Sequence, residues 1–259
     1  ILYRNAKEAE IRDGVVALTN MAENGLDRYI DSNRQLLVAI SHTDQIKDVG
    51  PSSVNAFFRL LHEQFPGRAN FGAIDLKGNI FASALPIKDP VNISDRSWFQ
   101  QVLKTRDFTI GEYQIGRITG LPVIVFAQPV FDSAGGIKFV LFASMELKWL
   151  NRLWSDIKLP PGSLLLVTDR SCAVLFHYPY NEKWVGKAMS EMPVVKATRT
   201  RKNGTVELEG EDGVKRIHAF TTVGAPGGSI HITVGISKKA AFTPVNNILA
   251  ISLILLALI

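Results

Sequence analysis

One segment of this chain is written twice, and that repetition limits the possible folds more than any composition value does. Ile74-Asp75-Leu76-Lys77-Gly78-Asn79-Ile80-Phe81 returns as Thr168-Asp169-Arg170-Ser171-Cys172-Ala173-Val174-Leu175, each an apolar run, an aspartate-led turn and a second apolar run. Gly135-Gly136 ahead of Ile137 to Met145 returns as Gly227-Gly228 ahead of Ile230 to Ile236. The landmarks lie 136 − 75 = 61 and 228 − 169 = 59 residues apart, at offsets of 169 − 75 = 94 and 228 − 136 = 92. A hairpin spacing that recurs in this way predicts two similar sheet modules in tandem.

The 259 residues have room for two such modules, and 46% hydrophobic against 20% charged residues is the balance of a chain that buries a core. The net charge of +5 is spread along the sequence, and the densest basic stretch, Thr198-Arg199-Thr200-Arg201-Lys202-Asn203, reads as a solvated turn. Nucleic acid is therefore not expected as a partner. Cys172 is the only cysteine, which excludes an internal disulfide and a thiolate zinc site. His42, His62, His177, His218 and His231 form no i, i+4 pair, and no Gly-x-Ser-x-Gly elbow or Ser-x-x-Lys set places a nucleophile beside a base. No metal, cofactor or catalytic residue is expected. Gly224-Ala225-Pro226-Gly227-Gly228 lacks the lysine and helix of a phosphate loop and reads as a hairpin turn.

Steps of three and four link Ile11, Val15, Leu18, Ala22, Leu26, Tyr29, Asn33, Leu36 and Ile40, which predicts a helix from about residue 3 to 42. At 1.5 Å per residue it would be roughly 60 Å long, more than one small domain. Gly14 and Gly25 each weaken it by about 1 kcal/mol relative to alanine. Its stripe therefore needs a surface, supplied by the two sheets or by a partner helix in a homodimer. After the break at Val49-Gly50-Pro51, a second helix runs through Phe57, Phe58 and Phe65. Strands follow at Phe71 to Leu76, Ile80 to Ala84, Val123 to Val130 and Ile137 to Leu147, with a helix from Ser94 to Lys104 between them. The second module reads as strands at Leu164 to Thr168, Ala173 to His177, Thr205 to Leu208, Val214 to Thr222 and Ile230 to Ile236, with a weaker helix around Lys187 to Arg199 that carries Pro193. The fold class is α+β. Its divisions are a long helix over 1–49, sheet modules over 50–155 and 156–240, and the start of a transmembrane helix over 241–259. Residues 248–259 carry no charge, and a membrane span needs roughly 20 such residues. The competing reading, a buried C-terminal helix, is weaker because no polar second face is marked.

Asp95-Arg96-Ser97-Trp98-Phe99 is different in kind. With Ser94 or Asp95 as the cap, Arg96, Trp98 and Phe99 fall in the first helical turn, where free backbone N–H groups and the helix dipole favour an anion. A guanidinium beside an indole N–H can hold a carboxylate by charge-assisted bonds. The residues fit equally well a plainer arrangement in which Trp98 and Phe99 are core and Arg96 is a surface pairing.

From Asp95-Arg96-Ser97-Trp98-Phe99 through Gly111-Glu112-Tyr113, Leu121 to Val130 and Phe139 to Leu147, the sequence resembles the membrane-distal half of a double Cache sensor domain. The resemblance covers essentially the whole chain. It implies an extracytoplasmic module built of a long helix and two PAS-like antiparallel sheets, held at the inner membrane with this region periplasmic or extracellular. It also implies a distal pocket lined by Arg96, Trp98, Phe99, Tyr113 and Ser144, with Arg117 and Gln128 as further polar contacts. Amino-acid-binding members carry tyrosine where this chain has Phe99 and an amine-holding aspartate where it has Ser144. A serine cannot neutralise an ammonium, so a small anionic ligand such as a carboxylate is the expected partner. The receptor type implied is a sensor histidine kinase, favoured by abundance, with a chemoreceptor or a diguanylate cyclase as alternatives. Outside that class stand a membrane-anchored enzyme and a structural spacer.

Overall fold

The computed structural model of the chain describes residues 2–43, 46, 51–154, 157–224 and 230–240. Helix α1 spans Leu2–Ser41. Its buried face runs Ile11, Val15, Thr19, Ala22, Leu26, Ile30, Asn33, Leu37 and Ile40, one position off the expected stripe at three places, where Leu18, Tyr29 and Leu36 are only half-buried. That face docks on two surfaces in succession. Toward its start, Arg12 donates to the Thr205 hydroxyl (3.4 Å) and the Thr19 hydroxyl to the Ala219 carbonyl (3.4 Å). Toward its end, Asn33 Oδ1 accepts from Arg68 Nε at 3.0 Å.

The first surface in chain order after α2 (Pro51–Gln64) is a six-stranded sheet of β1 (Arg68–Ile74), β2 (Ile80–Ser83), β3 (Thr109–Ile110), β4 (Gln114–Ile115), β5 (Pro122–Phe131) and β6 (Ile137–Glu146). The order is β2-β1-β6-β5-β3, with β4 also paired to β5, and every pairing is antiparallel. The second sheet contains β7 (Leu164–Asp169), β8 (Val174–Tyr178), β9 (Gly204–Glu209), β10 (Lys215–Val223) and β11 (Ile230–Ser237), in the order β8-β7-β11-β10-β9. The two orders are the same path walked twice. The sequence duplication is therefore a duplication of topology. Helix α3 (Ser97–Thr105) lies between β2 and β3, and α4 (Pro193–Thr200) lies between β8 and β9.

Side chains alternate across each strand. On β5, Ile124 and Phe126 join α1 and α2 in one apolar core that also takes in Leu165, Ile217 and Ile232 of the second sheet. On the same strand Val123, Val125 and Ala127 point the other way, toward α3. The α4 side of the second sheet has its own cluster, with Leu166, Val194 and Val195. Each fully buried Phe or Leu contributes roughly 1.5–3 kcal/mol. The α1 side is thus one continuous seam, and the two outer faces are separate compartments.

Two expectations are corrected. Helix α4 begins at Pro193 and not near Lys187, because proline suits the first helical position and lacks the N–H an interior position needs. Helix α3 is capped by Arg96 in extended conformation, with no side-chain cap bond. The expected caps are engaged elsewhere, the Ser94 hydroxyl with Asn92 Oδ1 (2.7 Å) and Asp95 with Arg117. The two-residue strands β3 and β4 are too short for periodicity to show. Among the described residues no helix is long and apolar enough to cross a membrane. The expected start of a spanning helix, the Gly227-Gly228 turn and the break at Val49-Gly50 lie outside the described residues.

Candidate functional site

Because α3 stands off the first sheet at its N-terminal end, a cavity of about 50 Å³ remains between them. Its floor comes from facing residues of three neighbouring strands: Asn70 and Ile74 of β1, Phe142 and Ser144 of β6, and Val123 and Val125 of β5. Asn70, Ser144 and Val125 are in register across the sheet. Phe142 lies over Gly72, where any Cβ would collide with its ring. Arg96 and Trp98 form the α3 wall, and Gln114 of β4 with Gly116 to Thr119 of the β4–β5 turn closes over the top.

The polar groups of the floor hold one another. Ser144 donates to the Asn70 carbonyl (3.3 Å), and the Asn70 side chain exchanges bonds with the Ser83 hydroxyl (2.9 and 3.2 Å). The wall differs. Trp98 is 5% exposed, pinned where a Cβ at Gly111 would sit 3.0 Å from its ring, and its indole donates to Gln114 Oε1 at 3.2 Å. Arg96 donates to the Ile115 carbonyl at 3.3 Å, and among the described residues no carboxylate comes within ion-pair distance of it. Arg117 is held bidentately by Asp95 (2.9 and 2.7 Å) and also donates to the Asn92 carbonyl. Burial, and then the Arg117 charge, push the Arg96 guanidinium below its usual range, while Asp95 opposes them. Arg117 in turn holds the Asp95 carboxyl below the usual carboxylate range. Two guanidinia against one carboxylate leave the rim positive, and among the described residues no carboxylate lines the cavity. Positive charge at the rim and apolar walls below are the chemistry that suits an anion with a small apolar body.

Of the seven residues singled out by sequence, Arg96, Trp98, Arg117 and Ser144 line this one cavity. Phe99, Tyr113 and Gln128 do not. Phe99 is 1% exposed and packs edge-on against Trp98 in the core beneath α3. Tyr113 reaches into the cleft between the modules beside Leu175 and Phe176, over Gly186, whose positive φ of 80° and missing Cβ admit the ring. Gln128 shares the parity of Ile124 and Phe126, so it points to the α1 side of β5. Sequence reasoning missed Asn70, Gln114 and Thr119. The signal for Asn70 was a polar residue one step ahead of the apolar run Phe71 to Ile74.

The model of the Cache domain family matches residues 3–245. Sporulation kinase D of Bacillus subtilis (strain 168) is 26% identical over 158 residues, covering 59% of this chain and 30% of the kinase, so the chain spans less than a third of that relative's length. Among solved structures, the extracellular domain of rpHK1S-Z16, named as a histidine kinase, superposes with a TM-score of 0.75 at 18% identity, covering 92% of this chain and 98% of that one. The ligand-binding domain of the Pseudomonas fluorescens chemoreceptor CtaA in complex with L-isoleucine gives 0.72 at 18% identity, covering 93% and 98%. That of the Pseudomonas aeruginosa PAO1 amino acid chemoreceptor PctB in complex with L-Arg gives 0.70 at 17%, covering 91% and 98%.

Proposed function

This chain belongs to the Cache domain family, and on that premise we propose that it is the extracytoplasmic input of a transmembrane receptor whose first sheet module binds a small organic acid. The observation that carries the reading is the half-buried Arg96 guanidinium at the rim of a cavity with apolar walls, beside an indole N–H and without a carboxylate of its own. A ligand carboxylate would supply the missing charge and regain what burial of the guanidinium costs. The cavity's 50 Å³ equals the space of about four waters, which fits acids of the size of acetate to lactate.

A second reading, an amino acid ligand, is favoured by the structural neighbours crystallised with L-isoleucine and L-Arg. Against it stands Ser144, since among the described residues no carboxylate lines the cavity to meet an ammonium. Propionate and L-alanine differ by that ammonium alone, so thermal shifts with the two decide the matter. Propionate at a hundred times its dissociation constant should stabilise the chain by about 2.7 kcal/mol, and Arg96→Ala should abolish the shift. A larger shift with L-alanine would replace the acid reading by the amino acid one. No shift with any small carboxylate would end both.

In this reading the first module (50–155) is membrane-distal and the second (156–240) relays toward an anchor over 241–259 at the inner membrane. The similarity to Sporulation kinase D supports a histidine kinase output, and the similarity to CtaA and PctB supports a chemoreceptor. Homodimerisation through α1 rests on Val16 and Met21, 38% and 56% exposed on the side away from the sheets.

A further inference from the structure

A polar clasp joins the modules. Glu112 accepts from the Ser97 hydroxyl of α3 at 2.6 Å and, with its other oxygen, from Arg170 Nε in the β7–β8 turn. Arg170 also donates to Gln101 Oε1 of α3 at 2.8 Å. The next residue continues the clasp, the Tyr113 amide donating to Asp169 Oδ2 at 2.8 Å. Asp169 is 2% exposed, and its remaining oxygen accepts the Ser171 and Ala173 amides, both at 2.9 Å, so the turn is rigidly tied to that carboxylate. Directly after Tyr113 come Gln114 and Ile115, the partners of Trp98 and Arg96 in the cavity wall. One short stretch of chain therefore grips the second module at one end and closes the cavity at the other.

We infer that Glu112 is a positioning residue through which occupancy of the cavity is read at the β7–β8 turn of the second module. The inference rests on the ligand reading of that cavity. A carboxylate seated on Arg96 and Trp98 competes with the Ile115 carbonyl and Gln114 Oε1 for their donors and so detaches 114–116 from α3. Because Glu112 stays fastened to Ser97 and Arg170, and Tyr113 to Asp169, the released edge changes the load on the turn. A ligand biases a receptor only by the difference in its affinity for two states, and here the two states differ in whether these donors serve the wall or the ligand.

The test is a double-mutant cycle read by amide hydrogen exchange at Ser171 and Ala173 in the 259-residue chain, with β10 and β11 amides as the control for an intact fold. Gln114→Met removes the indole's acceptor at nearly constant length, and it should speed exchange at Ser171 and Ala173 about fivefold, the equivalent of one hydrogen bond. Glu112→Gln should speed it by itself and make Gln114→Met silent. If Glu112→Gln disturbs the control strands, Glu112→Asp takes its place in the cycle. An unchanged turn in Gln114→Met, or two effects that multiply independently, would overturn the inference. Propionate is the second arm. Failure to shift the melting temperature of the unaltered chain would sink the ligand reading, while a non-additive cycle would still establish the clasp.

Discussion

The turns led by Asp75 and Asp169 do the same backbone work and part company over one oxygen. Asp75 Oδ1 accepts the amides of Lys77 and Asn79 (2.9 and 2.8 Å), and its Oδ2 is used locally, by the Asn79 side chain at 2.9 Å. Asp169 Oδ1 accepts the amides of Ser171 and Ala173, but its Oδ2 reaches Tyr113 in the other module. Each turn then leans on the segment entering its module's outer helix, through the bridges Asn79–Asn92 and Ala173–Ala188. What the helices cover is different. Under α3 the sheet keeps a polar-floored cavity, while in the second sheet His218 sits 1% exposed, close over Gly235, in a face closed by Val194 and Val195 of α4. A duplicated scaffold has kept a cavity under one outer helix and filled the other face, and a spare oxygen of the second copy joins the two.

The filled face yields the largest expected effect. Burial, and then the Arg216 charge, hold the His218 imidazole down to about 4 against a usual 6.5, with Asp212 opposing weakly. Among the described residues neither ring nitrogen has a hydrogen-bond partner. A depressed histidine contributes stability that is complete above about pH 6.5, declines as pH falls, and is fully lost below about pH 4. The difference corresponds to about 3 kcal/mol. Urea unfolding followed from pH 7 to pH 4 should show that decline. His218→Leu should flatten its own share of it, and an unchanged slope in that variant would show that the second face is not the acid-sensitive one.

Next in size is the contrast between the two carboxylates. Asp169→Ala leaves a buried turn and the Tyr113 amide without acceptors and should cost about 2 to 3 kcal/mol. Asp75→Ala exposes its freed amides to water and should cost about 1 kcal/mol. Chemical denaturation of both variants measures the pair. Equal losses would mean that the reach of Asp169 across the modules contributes nothing to stability.

Much of this was legible because it is local and repeated. Two aspartate-led turns and the Gly135-Gly136 hairpin mark strand pairs that the structure contains, and the three-and-four stepping of α1 marks a helix long enough to serve both sheets. Four cavity residues were legible for a related reason, since Arg96, Trp98, Arg117 and Ser144 carry chemistry that stands out against an apolar background. What the sequence could not place is direction in space. Gln128 is polar on an apolar strand, yet strand parity places it with Phe126 on the α1 side. Tyr113 follows Gly111-Glu112 and precedes a two-residue strand, so no period fixes its side, and its ring lies where a Cβ at Gly186 would collide with it. The Asp95–Arg117 pair spans 22 residues and is invisible until the β4–β5 turn folds back.

The last contrast lies where the two turns differ in residue type, and its second copy gives the smallest effect of all. Gly78 and Cys172 occupy the same place, three residues after the aspartate, and both take positive φ, 86° and 66°. Only glycine adopts that conformation without steric cost, which for other residues is roughly 1–2 kcal/mol. At Gly78 a Cβ would also stand 2.6 Å from the Ser94 amide nitrogen, which is backbone and cannot step aside. Gly78→Ala should therefore cost about 2 kcal/mol, conformational strain and collision together. Cys172 bears the same strain but is 2% exposed among Leu166, Val174 and Val194, and the apolar burial of its side chain offsets it. Removing both at once with Cys172→Gly should change stability by less than about 1 kcal/mol in either direction. Melting curves of the two variants side by side test the equivalence of the turns. A Cys172→Gly loss as large as that of Gly78→Ala would mean that the thiol's packing, and not a shared turn geometry, governs the second copy.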